Sequence, residues 1–131
     1  MKNGCESGCR GSTVRKVVLA LWTVSIGVVC YASLKPEVEF PVDFEGADLA
    51  YHALSYLWLS FLPFAIFPDE QKRLLYAFLM IPLGIALEIG QGFVPGRTFS
   101  PLDMMANSSG TLLGVICGKY LHGVFRRRMK S

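Results

Sequence analysis

Residues Leu74 to Phe93 read LLYAFLMIPLGIALEIGQGF, with one carboxylate (Glu88) and no basic residue. A helix needs about 20 such residues to cross a bilayer core of roughly 30 Å. The stretch lacks the charged outer face of a soluble amphipathic helix, so its natural surroundings are lipid or other apolar helices. Pro82 stands near the middle, where it removes a backbone donor and predicts a kink that a bundle tolerates. Three further apolar blocks accompany this one. They are Val17 to Leu34, Leu49 to Phe67 (broken near its end by Pro63), and a block from Asp103 that fades at Leu121. The chain has 131 residues, 52% of them hydrophobic, and its mean hydropathy is +0.40. Once the blocks are set aside, too little is left for a second domain or a water-soluble core. The expected fold is an all-α integral membrane bundle of four transmembrane helices.

The flanks supply the topology. Residues 1–16 are polar, Gly/Ser-rich and basic, and read as a disordered N-terminal segment. Residues 17–121 form the transmembrane domain and 122–131 a basic tail. Arg15 and Lys16 ahead of the first block imitate a signal peptide, but Tyr31-Ala32-Ser33 is a poor cleavage site, so the block reads as an uncleaved anchor. Residues 35–48 alternate apolar side chains with carboxylates and contain two prolines, which favours an extended path along the interface over a helix. In a four-span chain, Lys2, Arg10, Arg15, Lys16, Lys72, Arg73, Lys119, Arg126, Arg127, Arg128 and Lys130 share one side. Only Lys35 and Arg97 fall on the other. The positive-inside rule then makes both termini cytoplasmic. The net charge of +3 is accounted for as a topology signal, and no nucleic-acid partner is implied. Cys5 and Cys9 lack zinc-site spacing and read as ordinary thiols, Cys30 and Cys117 as small apolar packers, and His122 as a surface residue.

Against this apolar background the polar residues stand out. Asp48, His52 and Tyr56 share one helix face at i, i+4, i+8; Glu88 and Gln91 close the third block; Asp103 and Asn107 open the fourth; Arg97 lies in the loop between. All eight belong to the outer side of the expected topology. Ionisable groups inside a span are costly and face the bundle interior or a water-filled cavity. Two arrangements fit: an outward-facing pocket for a polar ligand, or a clasp in which Arg97 pairs with Asp103 or Glu88 while His52 and Asn107 fill the remaining valences. Asp48 and His52 have a spacing that can chelate a metal, but they read as hydrogen-bonded neighbours. There is no H-E-x-x-H pair, no G-x-S-x-G elbow and no phosphate-cradling loop. No catalytic residue, metal ligand or cofactor is therefore assigned. Gly110, Gly114 and Gly118, four residues apart, make a smooth stripe for helix packing.

The series Asp48-x3-His52-x3-Tyr56, Glu88-x2-Gln91 and Pro95-Gly96-Arg97-x2-Ser100-x2-Asp103-x3-Asn107-x2-Gly110-x3-Gly114 resembles the VanZ-like family of membrane proteins. The resemblance covers residues 47–118 and is most specific from Glu88 to Gly114. Leu49 stands where that family usually has a lysine, which removes one partner for Glu88 or Asp103. The family's founding member is linked to resistance to the glycopeptide teicoplanin. The resemblance implies a bacterial cell-envelope protein of the cytoplasmic (inner) membrane, and it defines no activity.

The leading expectation is a non-catalytic protein whose pocket binds a lipid-linked or cell-wall precursor, or a glycopeptide, at the membrane surface. In that reading Arg97 contacts an anionic group and the other seven residues complete the shell. A membrane enzyme acting on a lipid headgroup or precursor, and a structural or accessory subunit, remain as alternatives. Nothing in the sequence specifies an oligomeric state.

Overall fold

A computed structural model describes residues 4–36 and 46–128, with side chains from Gly11 onward. The side chains of Cys5 and Cys9, and most of the acidic connection, lie outside the described residues. The described residues form helices and short connections, with no strand among them. The helices are α1 (Gly4–Leu34), α2 (Ala47–Phe61), α3 (Pro63–Ile66), α4 (Glu70–Phe78), α5 (Met80–Gln91) and α6 (Pro101–Arg128). From Gly4 onward the backbone is helical. Once the apolar span has nucleated a helix, each further turn adds a hydrogen bond for one residue fixed, so the helix extends backward through Lys16 and Arg15.

Two prolines explain why two of the apolar blocks each fold as a pair of helices. Pro63 has no N–H, so the carbonyl of Leu59 loses its helical donor. The indole Nε1 of Trp22, on α1, donates to that carbonyl at 2.8 Å. In the next block the break falls at Leu79, three residues before Pro82, whose ring crowds the Phe78 carbonyl. Beside that break the Ser60 hydroxyl of α2 donates to the carbonyl of Ala77 at 3.3 Å. Each interruption is thus bridged by a neighbouring helix, as kinked helices in lipid require.

Three helical units, Gly11–Leu34, Ala47–Ile66 and Glu70–Gln91, are long and apolar enough to cross a membrane. Their outward side chains include Val24, Leu54, Leu75 and Ile89, all exposed. So many exposed apolar residues on so small a chain suit contact with lipid. The interior is built from Trp22, Tyr56, Leu59, Leu62, Ile66 and Met80, with Trp22 edge-on to a stacked Phe67–Tyr76 pair. Although α1 is mostly exposed, it delivers Trp22 into this core.

α6 packs most extensively against α2. A Cβ on Gly110 would strike the carbonyl of Ala53, one on Gly114 would meet that of Leu57 at 2.5 Å, and one on Gly118 would strike the Phe64 ring. The glycine stripe therefore lies where α6 meets α2 and α3, close enough for backbone to touch backbone.

Two ends result. At one, Glu70 faces Lys119 at 3.7 Å, and the buried Arg73 donates from Nη1 to His122 Nε2 at 2.8 Å. His122 is partly buried against the bundle, which corrects its expected place as a surface residue. The physical reason is the short α3–α4 link, which turns Arg73 inward onto the last turns of α6. Near this end a largely apolar cleft of about 950 Å³ opens between α1, α3 and α6, far from the polar set. The other end gathers the polar residues.

Candidate functional site

The polar end is assembled by α2, the close of α5 and the start of α6. On α2, His52 directs its ring across to α6, where Nδ1 lies 3.1 Å from Asn107 Oδ1. With Asn107 accepting, Nδ1 carries the proton and Nε2 presents a lone pair or a second proton. Nε2 points at two carboxylates: Asp48 Oδ1 at 3.7 Å on its own helix, and Asp103 Oδ2 at 3.8 Å on α6. Asp48 is about half exposed, whereas the Asp103 side chain is 10% exposed. These three residues present one nitrogen and two oxygens that all lie within 4.8 Å of one another.

Glu88 is 1% exposed at the end of α5. Its Oε1 accepts the backbone N–H of Ser100 at 2.6 Å, just ahead of α6, where the helix dipole favours negative charge. Ser100 in turn accepts the Asp103 N–H on its hydroxyl at 3.3 Å, and Pro101 occupies the first helical position. Sequence reading assigned Ser100 no role. The Ser-Pro-Leu-Asp pattern is a recognisable helix start and was the available signal.

Arg97 departs from the expected clasp. The turn before it contains Gly96 at φ 80°, a left-handed conformation that glycine adopts without strain. This swings the guanidinium to the C-terminal end of α1. There Nη2 donates to Ala32 O at 3.1 Å and Nε to Lys35 O at 3.4 Å. Free carbonyls and the negative end of a helix dipole hold the cation. Among the described residues, no carboxylate lies within ion-pair distance of Arg97.

A cavity of about 150 Å³ lies between α1 and α2, lined by Ala32, Ser33, Tyr51, His52, Ser55, Tyr56, Gln91 and Arg97, with Val28 and Val29 behind. Asp48, Glu88 and Asp103 are not in its wall. Tyr56 is 1% exposed, and its buried hydroxyl has no hydrogen-bond partner among the described residues. Of the eight candidate residues, His52, Tyr56, Gln91 and Arg97 therefore meet at the cavity, while Asp48, Asp103 and Asn107 cluster on the other side of the imidazole. Glu88 serves the start of α6. The contribution of α1 to the cavity was missed, because Ala32 and Ser33 carry no distinctive chemistry.

Comparison of the chain with protein families, with curated proteins and with solved structures finds no match. The geometry offers a small cavity lined by Arg97 and His52, and Asp48 and Asp103 near the His52 Nε2.

Proposed function

We propose that this chain is a VanZ-like protein of the bacterial inner membrane with four spans and both termini in the cytoplasm. Its cavity opens outward and binds an anionic group at the membrane surface. The observation that carries this reading is the composition of the cavity wall: Arg97 and His52 line it, and among the described residues no carboxylate does. The buried, unpartnered hydroxyl of Tyr56 adds a donor in the same wall. Drug-sized ligands occupy pockets of about 300–1,000 Å³, so about 150 Å³ suits one phosphate or carboxylate, with the rest of the ligand outside. A lipid-linked envelope precursor fits this division, since its diphosphate lies at headgroup depth and its tail stays in the bilayer. Lipophilic glycopeptides, which carry carboxylates, are the second ligand class.

The four-span topology rests on two supports. α6, with 28 residues, is about 42 Å long at ~1.5 Å per residue and lies along α2. The basic residues Arg73, Lys119 and Arg126 to Arg128 belong to the end opposite the cavity, matching a cytoplasmic face.

The test is binding of a polyprenyl diphosphate to the protein in nanodiscs. Arg97→Ala is expected to weaken binding by at least about tenfold, in line with the ~1.5–3 kcal/mol of a charged hydrogen bond, while the thermal midpoint stays close to that of the parent. Unchanged affinity in a stable Arg97→Ala protein would overturn the reading.

A further inference from the structure

We propose that Asp48, His52 and Asp103 form a divalent metal site, with Zn²⁺ as the best-suited ion, on the side of His52 away from the cavity. Three donors from two helices converge: Nε2 of His52 stands 3.7 Å from Asp48 Oδ1 and 3.8 Å from Asp103 Oδ2. Around a zinc ion with bonds of about 2.0–2.2 Å, neighbouring ligand atoms lie about 3.3–3.6 Å apart. The observed separations are too long for direct hydrogen bonds. The two His52–carboxylate separations need to close by a few tenths of an ångström around an ion, and the two carboxylate oxygens, within 4.8 Å of each other, are brought in by rotation of the half-exposed Asp48 side chain.

The orientation of the imidazole points the same way. Asn107 engages Nδ1 at 3.1 Å, which leaves Nε2 to the carboxylates. A ligating histidine whose other ring nitrogen is held by a neighbour is the usual arrangement in metal sites.

Asp103 is an independent observation. Its side chain is nine-tenths buried and its carboxylate is aimed at Nε2. The Ser100 side chain hydrogen-bonds it, and His52 is the only group of potentially positive charge within 4 Å among the described residues. Asp48, Asp103 and the nearby Glu88 bring three carboxylates to one end of the bundle. The nearest guanidinium, Arg97, is engaged by the carbonyls of Ala32 and Lys35. A divalent ion held by Asp48 and Asp103 would offset the charge of both carboxylates. Imidazole with two carboxylates suits Zn²⁺ over Ca²⁺ or Mg²⁺, which take all-oxygen shells. The half-exposed Asp48 leaves room for water or a ligand oxygen in the remaining position.

The site shares His52 with the cavity wall but uses none of Tyr56, Gln91 or Arg97, so loss of metal binding and loss of anion binding at Arg97 are distinguishable. The experiment is titration of chelator-treated full-length protein in detergent with Co²⁺, followed by its displacement with Zn²⁺. The expected result is one equivalent bound with visible d–d bands and no thiolate charge-transfer band, which separates this site from Cys5 and Cys9. Asp48→Asn, at a half-exposed position where folding is safe, lowers affinity at least about tenfold; Asn107→Ala lowers it by roughly ten- to a hundredfold. His122→Gln leaves it unchanged. Binding that carries a thiolate signature, or that survives Asp48→Asn and Asp103→Asn at full strength, would overturn the proposal, as would no binding at all.

Discussion

Arg73 and Glu88 are buried ionisable residues at opposite ends of one bundle, and their surroundings differ. Arg73, 6% exposed, donates to the carbonyls of Phe67 and Pro68 at 3.5 and 3.2 Å and to His122 at 2.8 Å. The carbonyls released at the end of α3 and a neutral imidazole complete most of its needs. At the polar end Glu88 is likewise held, by the Ser100 N–H, but Asp48 and Asp103 are left sharing a single imidazole. At the basic end Glu70 faces Lys119, and Arg73 rests its Nη1 on neutral acceptors while its buried Nε has no hydrogen-bond partner among the described residues. At the polar end Asp48 and Asp103 approach the His52 Nε2, and His52 and Arg97 line the cavity.

The strongest way to break this contrast is through the helix seam. Gly110 is one turn from Asn107 and abuts the Ala53 backbone next to His52, whereas Gly118 abuts only the Phe64 ring. Gly110→Ala forces α2 and α6 apart and is expected to cost about 3 kcal/mol or more. Phe64 is able to turn aside, so Gly118→Ala costs about 1 kcal/mol. Thermal unfolding of both variants in detergent checks the order. Equal losses would mean that the seam is no tighter at the polar end.

A smaller effect sharpens the account of the basic end. Burial, then the nearby Arg73 and Arg126 guanidinium groups, lower the His122 pKa from its ordinary 6.5. Above pH 6.5 the ring is neutral both folded and unfolded, so it adds no pH dependence. As pH falls below that value the unfolded ring takes up a proton that the folded ring resists, and stability declines. His122→Gln should flatten this part of the profile of thermal midpoint against pH, and an unaltered profile would remove His122 from the account.

Much of this architecture was legible in the sequence because it follows from period and composition. The apolar blocks, the interruptions at Pro63 and Pro82, and the sharing of one end by His52, Asp103 and Asn107 all follow from spacing along helices. What escaped depends on where the backbone exposes unpaired groups. The carbonyls of Ala32 and Lys35 attract Arg97 only because α1 ends beside the Gly96 turn. The Ser100 N–H reaches Glu88 only because α6 starts there. Likewise, Trp22 finds its acceptor in a carbonyl that Pro63, 41 positions further along the chain, has released. No pattern of side-chain types reports such backbone vacancies before the helices are packed. The division of the eight polar residues into a cavity and a carboxylate cluster was hidden for the same reason, since both halves meet at His52.

The most direct test asks which end faces out. Single cysteines at Thr98, exposed in the loop beside the cavity, and at Gln71, exposed at the basic end, are introduced after Cys5, Cys9, Cys30 and Cys117 are replaced by alanine. Intact cells are then treated with a membrane-impermeant maleimide. The account predicts labelling at position 98 in intact cells and at position 71 only after the membrane is permeabilised. Labelling at 71 and protection at 98 would contradict it, since the cavity and the carboxylate cluster would then face the cytoplasm.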